Sequence, residues 1–354
     1  MSLPVGGDAP VDAGCAMPRF TLRYVDLAQP RLGARVAAVS DEFFAPCERL
    51  IDPAPPVFIP GKYDEHGKWM DGWESRRRRA PGHDWCVLRI CAGVIHGADI
   101  DTSFFTGNHP PRASLEACLS ENAPGPETRW QELIPETPLN PDAHHYFGIG
   151  GAIGGAIGGA IGNERVFNHV RLNIFPDGGV ARLRLYGVAH CDWSRFPPGE
   201  WQDLAAMAHG GRALGCNDMH FGHMANLIAP GDGVNMGDGW ETRRRREPGH
   251  DWMILKLGRS GTVRRARVDT AFFKGNYPAR CALHGAQLDL SDEDVSARAD
   301  YWQPLLPEVE LGPDRKHDFE REIRDIGPIS HVRFDIYPDG GVSRLRLFGD
   351  WPAE

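Results

Sequence analysis

Residues 169–187 read HVRLNIFPDGGVARLRLYG, and residues 331–349 read HVRFDIYPDGGVSRLRLFG. In the first copy Val170, Leu172 and Ile174 alternate with other residues, the period of two that marks a half-buried strand. Pro176-Asp177-Gly178-Gly179 then interrupts the run. Pro presets the φ that enters a turn, and Gly supplies the positive φ that a hairpin bulge demands. Beyond it Leu183 and Leu185 alternate with Arg182 and Arg184, which predicts a return strand. Recurrence of the whole unit at an offset of 162 residues predicts a duplicated β domain.

Other blocks repeat in the same order. DGWESRRRRAPGHDW at 71–85 returns as DGWETRRRREPGHDW at 238–252, an offset of 167. DIDTSFFTGN at 99–108 returns within ARVDTAFFKGN, ending at Asn276, at an offset of 168. A fainter match sets VSDEFFAPCERLI at 39–51 against GCNDMHFGHMANLI, ending at Ile228. WCVLRI at 85–90 and WMILKL at 252–257 read as short buried strands, and DLAAMAHGGRAL at 203–214 is the best helix candidate. Many short strands punctuated by Gly and Pro predict an all-β chain of two tandem β-sandwiches or jelly rolls. The expected division is a poorly ordered N-terminus at 1–18, a first domain at 19–187, a linker at 188–204 and a second domain at 205–354. GIGGAIGGAIGGAIG at 148–162 lacks the Lys-Ser or Lys-Thr and the Gly spacing of a phosphate loop. It reads as a flexible surface insertion in the first domain.

A chain of 354 residues has room for two ordinary cores, and 41% apolar with 25% charged residues is a soluble globular balance. The formal charge of −9 argues against a phosphate-backbone binder, so no nucleic-acid partner is expected. The chain has no apolar run near the roughly 18 residues of a membrane span. It begins without a secretory signal and ends without a retention address. A cytoplasmic protein with no membrane association is the expectation. The eight cysteines form no C-x-x-C pair and read as free thiols.

The repeated blocks carry the chemistry. On a strand at most two of four consecutive arginines share a face. Each run also follows an Asp and a Glu. Pairing with Glu74 and Glu241, or recognition of a small anion, therefore fits better than DNA. His83 and His250 each precede an Asp, but no second cluster completes a metal site. His83 suits acid/base work near neutrality; a histidine satisfied by backbone at a strand entry is the alternative. The aromatic pairs Phe104-Phe105 and Phe272-Phe273 read as core, whereas Asp101, Thr102 and Asn108 project toward a loop rim. Asn108 and Asn276 would contact a ureido or sugar group, or shape the turns before Pro110 and Pro278. IPGKYDEHGKWMDGWE at 59–74 concentrates Lys62, Tyr63, Asp64, His66 and Lys68 in the first domain alone. If the chain has one catalytic centre, it is expected there.

SDEFFAP at 40–46, PPVFIPGKYDEHGKWMDGWESRRRR at 55–79, PGHDW at 81–85 and DIDTSFFTGN at 99–108 resemble the allantoicase (allantoate amidinohydrolase) family. The duplicated DGWETRRRR, PGHDW and DTAFFKGN resemble its second half, and the likeness runs from about Phe20 to the C-terminus. The Gly-rich run departs from the family pattern. The resemblance implies two tandem galactose-binding-like jelly-roll domains in a homotrimer or homohexamer. It also implies hydrolysis of allantoate to ureidoglycolate and urea in allantoin and purine catabolism.

That substrate is a carboxylate whose α-carbon bears two ureido groups. Its cleavage asks for an acid on the leaving nitrogen, a base for water and a cation for the carboxylate. Glu74 and His83 are the acid/base candidates, with Asp64 and His66 as alternatives. Arg77 with Lys62 is the candidate anion clamp, and Asp71, Asp101 and Asn108 are further substrate-binding candidates. No cofactor is required. A divalent metal would be compatible as a polariser of a ureido oxygen or of water, but no spacing compels one and no ligand is assigned. The competing class is a non-catalytic jelly-roll protein binding carbohydrate or small anions, with Trp69, Trp73 and Trp240 at its rim. A bivalent lectin would keep both rims alike; this chain elaborates only the first.

Overall fold

The computed structural model of the protein describes residues 17–150, 165–197, 199–295 and 302–352. Residues 1–16 of the expected N-terminal tail and 151–162 of the Gly-rich insertion lie outside the described residues. The duplication is visible in topology. In the first repeat the sheet order is Val25–Asp26, Arg182–Ala189, Asp84–Asp101, Val166–Phe175, Arg112–Cys118, Gln131–Pro138. Arg35–Val39 and His144–Gly148 also pair with Asp84–Asp101. The second repeat has the same order around Asp251–Asp269, with Arg212–Cys216 and Lys316–Phe319 in the additional places.

The segments expected as short strands at 85–90 and 252–257 are the beginnings of strands of 18 and 19 residues. The first half of Asp84–Asp101 pairs with Val166–Phe175 and Arg35–Val39. Its second half pairs with Arg182–Ala189 and His144–Gly148. One strand thus serves both layers of a jelly-roll sandwich. Gly93 marks the crossing, where an added Cβ would lie 2.4 Å from the Val188 carbonyl oxygen.

This arrangement corrects the hairpin expectation. Val166–Phe175 and Arg182–Ala189 each pair with the long strand, and not with each other. Val170, Leu172 and Ile174 are buried in one core with Leu183 and Leu185. The two alternating faces meet across the core of the sandwich instead of lining one sheet side by side. The connecting turn keeps its positive-φ glycines, Gly178 at 143° and Gly340 at 136°. Residues 203–214 form no α-helix. They fold as a 3₁₀ turn, Met207–His209, followed by the strand Arg212–Cys216. Gly210, at φ 92°, ends the turn. Trp73 and Trp240 are core residues, not rim residues, and each indole N–H donates to a carbonyl, of Asp41 and Asp218 respectively, at 2.9 Å.

The arginines expected to alternate outward are also partly internal. Arg182 is 2% exposed. It donates to the Asp71 carboxylate at 2.9 Å and to the carbonyls of Ala54, Asp71 and Ala181. Arg344 repeats the device with Asp238 at 2.6 Å. Asp238 also pairs with Arg31 of the first repeat. Burial would raise the Asp238 carboxyl, but the two arginines hold it below the ordinary carboxylate range. Val25 and Leu32 pack against both cores, and Arg23 reaches Asp292 at 3.0 Å. Residues 23–32 therefore join the repeats. Among the described residues no helix is long and apolar enough to cross a membrane, and the seven described cysteines are free thiols.

Removing Arg182 leaves Asp71 charged and nearly enclosed. Arg182→Met is expected to destabilise the chain by about 3–5 kcal/mol, read as a lower midpoint in urea denaturation. A shift below about 1 kcal/mol, the scale of a surface pair, would show that the pair is not structural.

Candidate active site

The loop rim of the first repeat is built on the short strand Trp73–Glu74, which pairs with Gly179–Val180. This pairing seats Glu74 beside the Thr102–Asn108 loop, and Asn108 donates its side-chain N–H to Glu74 Oε1 at 2.8 Å. Burial pushes the Glu74 carboxyl up, against the Asn108 hydrogen bond and the Arg77 charge; Asp64 and Lys68 also act on it. The hairpin of Tyr63–Asp64 and Gly67–Lys68 therefore lies within electrostatic reach of Glu74. A partly buried carboxyl with a raised pKa can hold a proton closer to neutrality, as a general acid requires.

The arginine run is irregular chain rather than strand, so strict face alternation does not apply. Nor does it pair with Glu74 as expected. Arg76 pairs with Asp41 at 2.6 Å and Arg78 with Asp84 at 2.7 Å. Arg77, with 74% of its side chain exposed, lies 3.7 Å from Asp177 and donates to the Gly107 carbonyl. Two arginines fasten the loop, and the one between them stays available at the rim. Lys62 sits 3.6 Å from the centroid of the Trp69 ring, a cation–π contact that steadies its ammonium.

The remaining expected site residues are held elsewhere. His83 shares a 3.3 Å contact with Asn173 Oδ1 and packs on Phe175, without touching Glu74. Asp71 is the partner of Arg182 and accepts from the Val57 amide, a pattern that Asp238 repeats with Arg344 and Val234. Asp101 is buried and accepts from the Ser103 amide, as Asp269 does from Ala271. These aspartate contacts recur in the second repeat and shape the turns there too.

Phe104 corrects a core expectation. Phe105 is buried, but Phe104 is 38% exposed at φ 69°. Phe272 copies it at φ 71°. Each amide donates to an aspartate, Asp142 or Asp314, at 2.7 Å. A bulky residue in the left-handed region is strained, and such strain concentrates at functional rims. In the first repeat Phe104 stacks on Phe58, from the segment with no equivalent in the second.

Comparison with known proteins agrees with this architecture. The family described as Allantoicase repeat matches residues 25–190 and again 202–352. The chain belongs to the allantoicase family. It is 52% identical over 336 residues to "Probable allantoicase 2" of Burkholderia pseudomallei, covering 94% of this chain and 96% of that one. It is 53% identical over 329 residues to "Probable allantoicase" of Pseudomonas aeruginosa, covering 92% and 96%. The crystal structure of allantoicase from Saccharomyces cerevisiae matches with a TM-score of 0.73 at 36% identity, covering 92% of each chain.

The allantoicase family fold also creates a pair that the sequence reading missed. His144 Nδ1 lies 2.8 Å from Asp99 Oδ2 and 3.9 Å from Asp101. The Asp99 hydrogen bond raises the His144 pKa, while burial raises that of Asp99. The pair arises because the register sets Asp101 opposite His144 and Asp99 opposite Tyr146. In the second repeat those places hold Asp269 opposite Lys316 and Arg267 opposite Asp318. The only sequence signal was a pair of aspartates two apart on a strand; their partner is 43 residues from Asp101. Among the described residues no group of three His, Cys, Asp or Glu side chains is placed to hold a metal ion.

The raised Glu74 pKa sets a sign for stability. The folded chain holds this proton more tightly than the unfolded chain. Its favourable contribution is complete below the unfolded carboxyl pKa and is lost as pH rises through the folded pKa. Wild type minus Glu74→Gln, in unfolding free energy, is expected to fall as pH rises through that interval. A difference that grows with pH would assign Glu74 to charge pairing instead.

Proposed function

We propose that the chain hydrolyses allantoate to ureidoglycolate and urea, and that the rim of the first repeat carries the reaction. The observation that supports this placement is the Glu74–Asn108 pair beside an exposed Arg77 and the first-repeat hairpin. Arg77 and Lys62 bind the substrate carboxylate, with planar bidentate contact from Arg77. Glu74 gives its proton to the ureido nitrogen that leaves with urea, and Asn108 fixes the orientation of its carboxyl. The α-carbon takes up the oxygen of water and becomes the hydroxyl-bearing carbon of ureidoglycolate, and the proton released by that water returns to the Glu74 carboxylate. One carbon–nitrogen bond breaks and one carbon–oxygen bond forms.

His83, placed against Asn173, is the weaker member of the expected acid/base pair. Asp71 and Asp101 maintain the rim and do not touch substrate. The reaction uses no cofactor in this reading, and the enzyme is cytoplasmic. The repeats divide at a linker of residues 188–204, and copies of the chain assemble as a homotrimer or homohexamer. Light scattering is expected to give a mass three or six times that of the 39.1 kDa chain; a monomer would overturn that part.

Urea release from allantoate is the direct test. Wild type is expected to form urea and ureidoglycolate in equal amounts, with or without EDTA. Glu74→Gln is expected to lower kcat by about 10²–10⁴-fold, the range of a lost general acid. Arg77→Gln is expected chiefly to raise KM. Unimpaired turnover by Glu74→Gln would remove the rim from the reaction, and loss of turnover in EDTA would introduce a metal.

A further inference from the structure

Phe104 and Phe105 stand side by side in the loop that carries Asn108, and only Phe105 serves the core. Phe105 lies beneath the strand pair that holds Glu74. A Cβ added to Gly179, the ladder partner of Glu74, would fall 2.0 Å from the Phe105 ring. Phe104 emerges beside it, 38% exposed at φ 69°. Its amide donates to Asp142, which itself sits at φ 50°. The Asp142 segment is anchored in turn by Thr102, whose hydroxyl lies 2.8 Å from the Asn140 carbonyl oxygen and 3.0 Å from that of Ala143. Two residues other than glycine are thus held in the left-handed region and joined by one hydrogen bond.

The fold asks for the positive φ there, but not for a ring. Glycine takes up that conformation without strain. A strained, solvent-facing aromatic residue at the edge of a site is what function retains and stability does not. The surroundings of the ring differ between the repeats. Phe104 stacks on Phe58 with 5.9 Å between centroids and the planes 24° apart. Lys68 lies 4.7 Å from the Phe58 centroid, and its charge also acts on Glu74. The two rings therefore flank the Lys68 side of the first rim, near the carboxyl that holds the proton. In the second repeat Asn235 follows Val234 where Phe58 follows Val57, so Phe272, at φ 71°, meets no phenylalanine in that place.

We propose that Phe104 is a specificity-determining residue of the first rim, where it forms with Phe58 an apolar wall for the ureido arm that remains on the α-carbon. The inference rests on the proposed hydrolysis at that rim. Arg77 and Lys62 take the carboxylate, and Glu74 faces the arm that leaves. The retained arm is planar. Its N–H and C=O groups bond within its plane, and its face lies on the aromatic surface. That contact is the same in substrate, transition state and product, because the retained arm does not react. Phe104 therefore bears on affinity and on the choice of α-substituent, not on bond breaking.

The test is steady-state kinetics of allantoate hydrolysis, with product inhibition, for Phe104→Gly, Phe104→Tyr and Phe272→Gly. Phe104→Gly is expected to raise KM about tenfold and to leave kcat within about twofold of wild type. Its inhibition constant for ureidoglycolate, which carries the retained arm, is expected to rise by the same factor. That for glycolate, which lacks the arm, should not change. Phe104→Tyr keeps the ring and is expected to keep the wild-type KM. Phe272→Gly relieves the same strain in the second repeat and should leave every constant unchanged. An unchanged KM in Phe104→Gly would overturn the proposal. So would a fall in kcat alone, equal weakening of ureidoglycolate and glycolate, or an equal effect of Phe272→Gly. Wild type that releases no urea would overturn the proposed hydrolysis itself, and this inference with it.

Discussion

A guanidinium with almost no access to water holds each loop rim in place. Arg182 spends its donors on Asp71 and three carbonyls, and Arg344 does the same around Asp238. A buried charge is tolerable only when paired and fully hydrogen-bonded. That requirement fixes where the 52–57 segment meets the 182–189 strand in the first repeat, and where 231–238 meets 344–350 in the second. The short strand bearing Glu74 or Glu241 follows directly from the clamped aspartate. Asp238 extends the constraint across the repeats through Arg31.

The fold was copied with its scaffold intact and its chemistry altered. Both repeats keep the clamped aspartate, the strained phenylalanine, the glutamate–asparagine pair and the two fastened arginines. They diverge at positions that face water or a neighbouring strand. Asp99 and His144 in one repeat correspond to Arg267 and Lys316 in the other. A hairpin with two lysines and a histidine in one has no equivalent in the other. Burial sets limits on the shared positions, since a lost clamp leaves an unpaired charge inside. No comparable penalty restrains the rim.

The arginine runs show how a one-dimensional pattern misleads about partners. Four adjacent arginines after Asp-Gly-Trp-Glu suggested local pairing with Glu74 and Glu241. The partners are instead Asp41, Asp84 and Asp177 in the first repeat, and Asp218 and Asp251 in the second. Some lie close in sequence, but others lie 35 to about 100 residues away and are brought in by sheet pairing. Glu74 is thereby left to Asn108, with a raised pKa rather than a neutralised charge.

The sequence by itself determined the duplication, the all-β character and the core faces of the paired strands. These depend on periodicity and recurrence, which are local in the chain: Val170, Leu172, Ile174, Leu183 and Leu185 are buried where their alternation put them. It also named Glu74, Arg77 and Asn108 as candidates, three residues of recurring blocks that the structure brings to one rim. It misread what depends on the third dimension. The apparent hairpin became two strands facing each other across the core, since alternation gives a face but no partner. Phe104 turned outward at a positive φ, with its amide bound to Asp142 from a segment 38 residues away. Asp99 and His144 met because a strand of 18 residues bends through both layers and sets a register between distant segments. Proton affinity and contact follow from that register and from burial, and only the tertiary structure decides either.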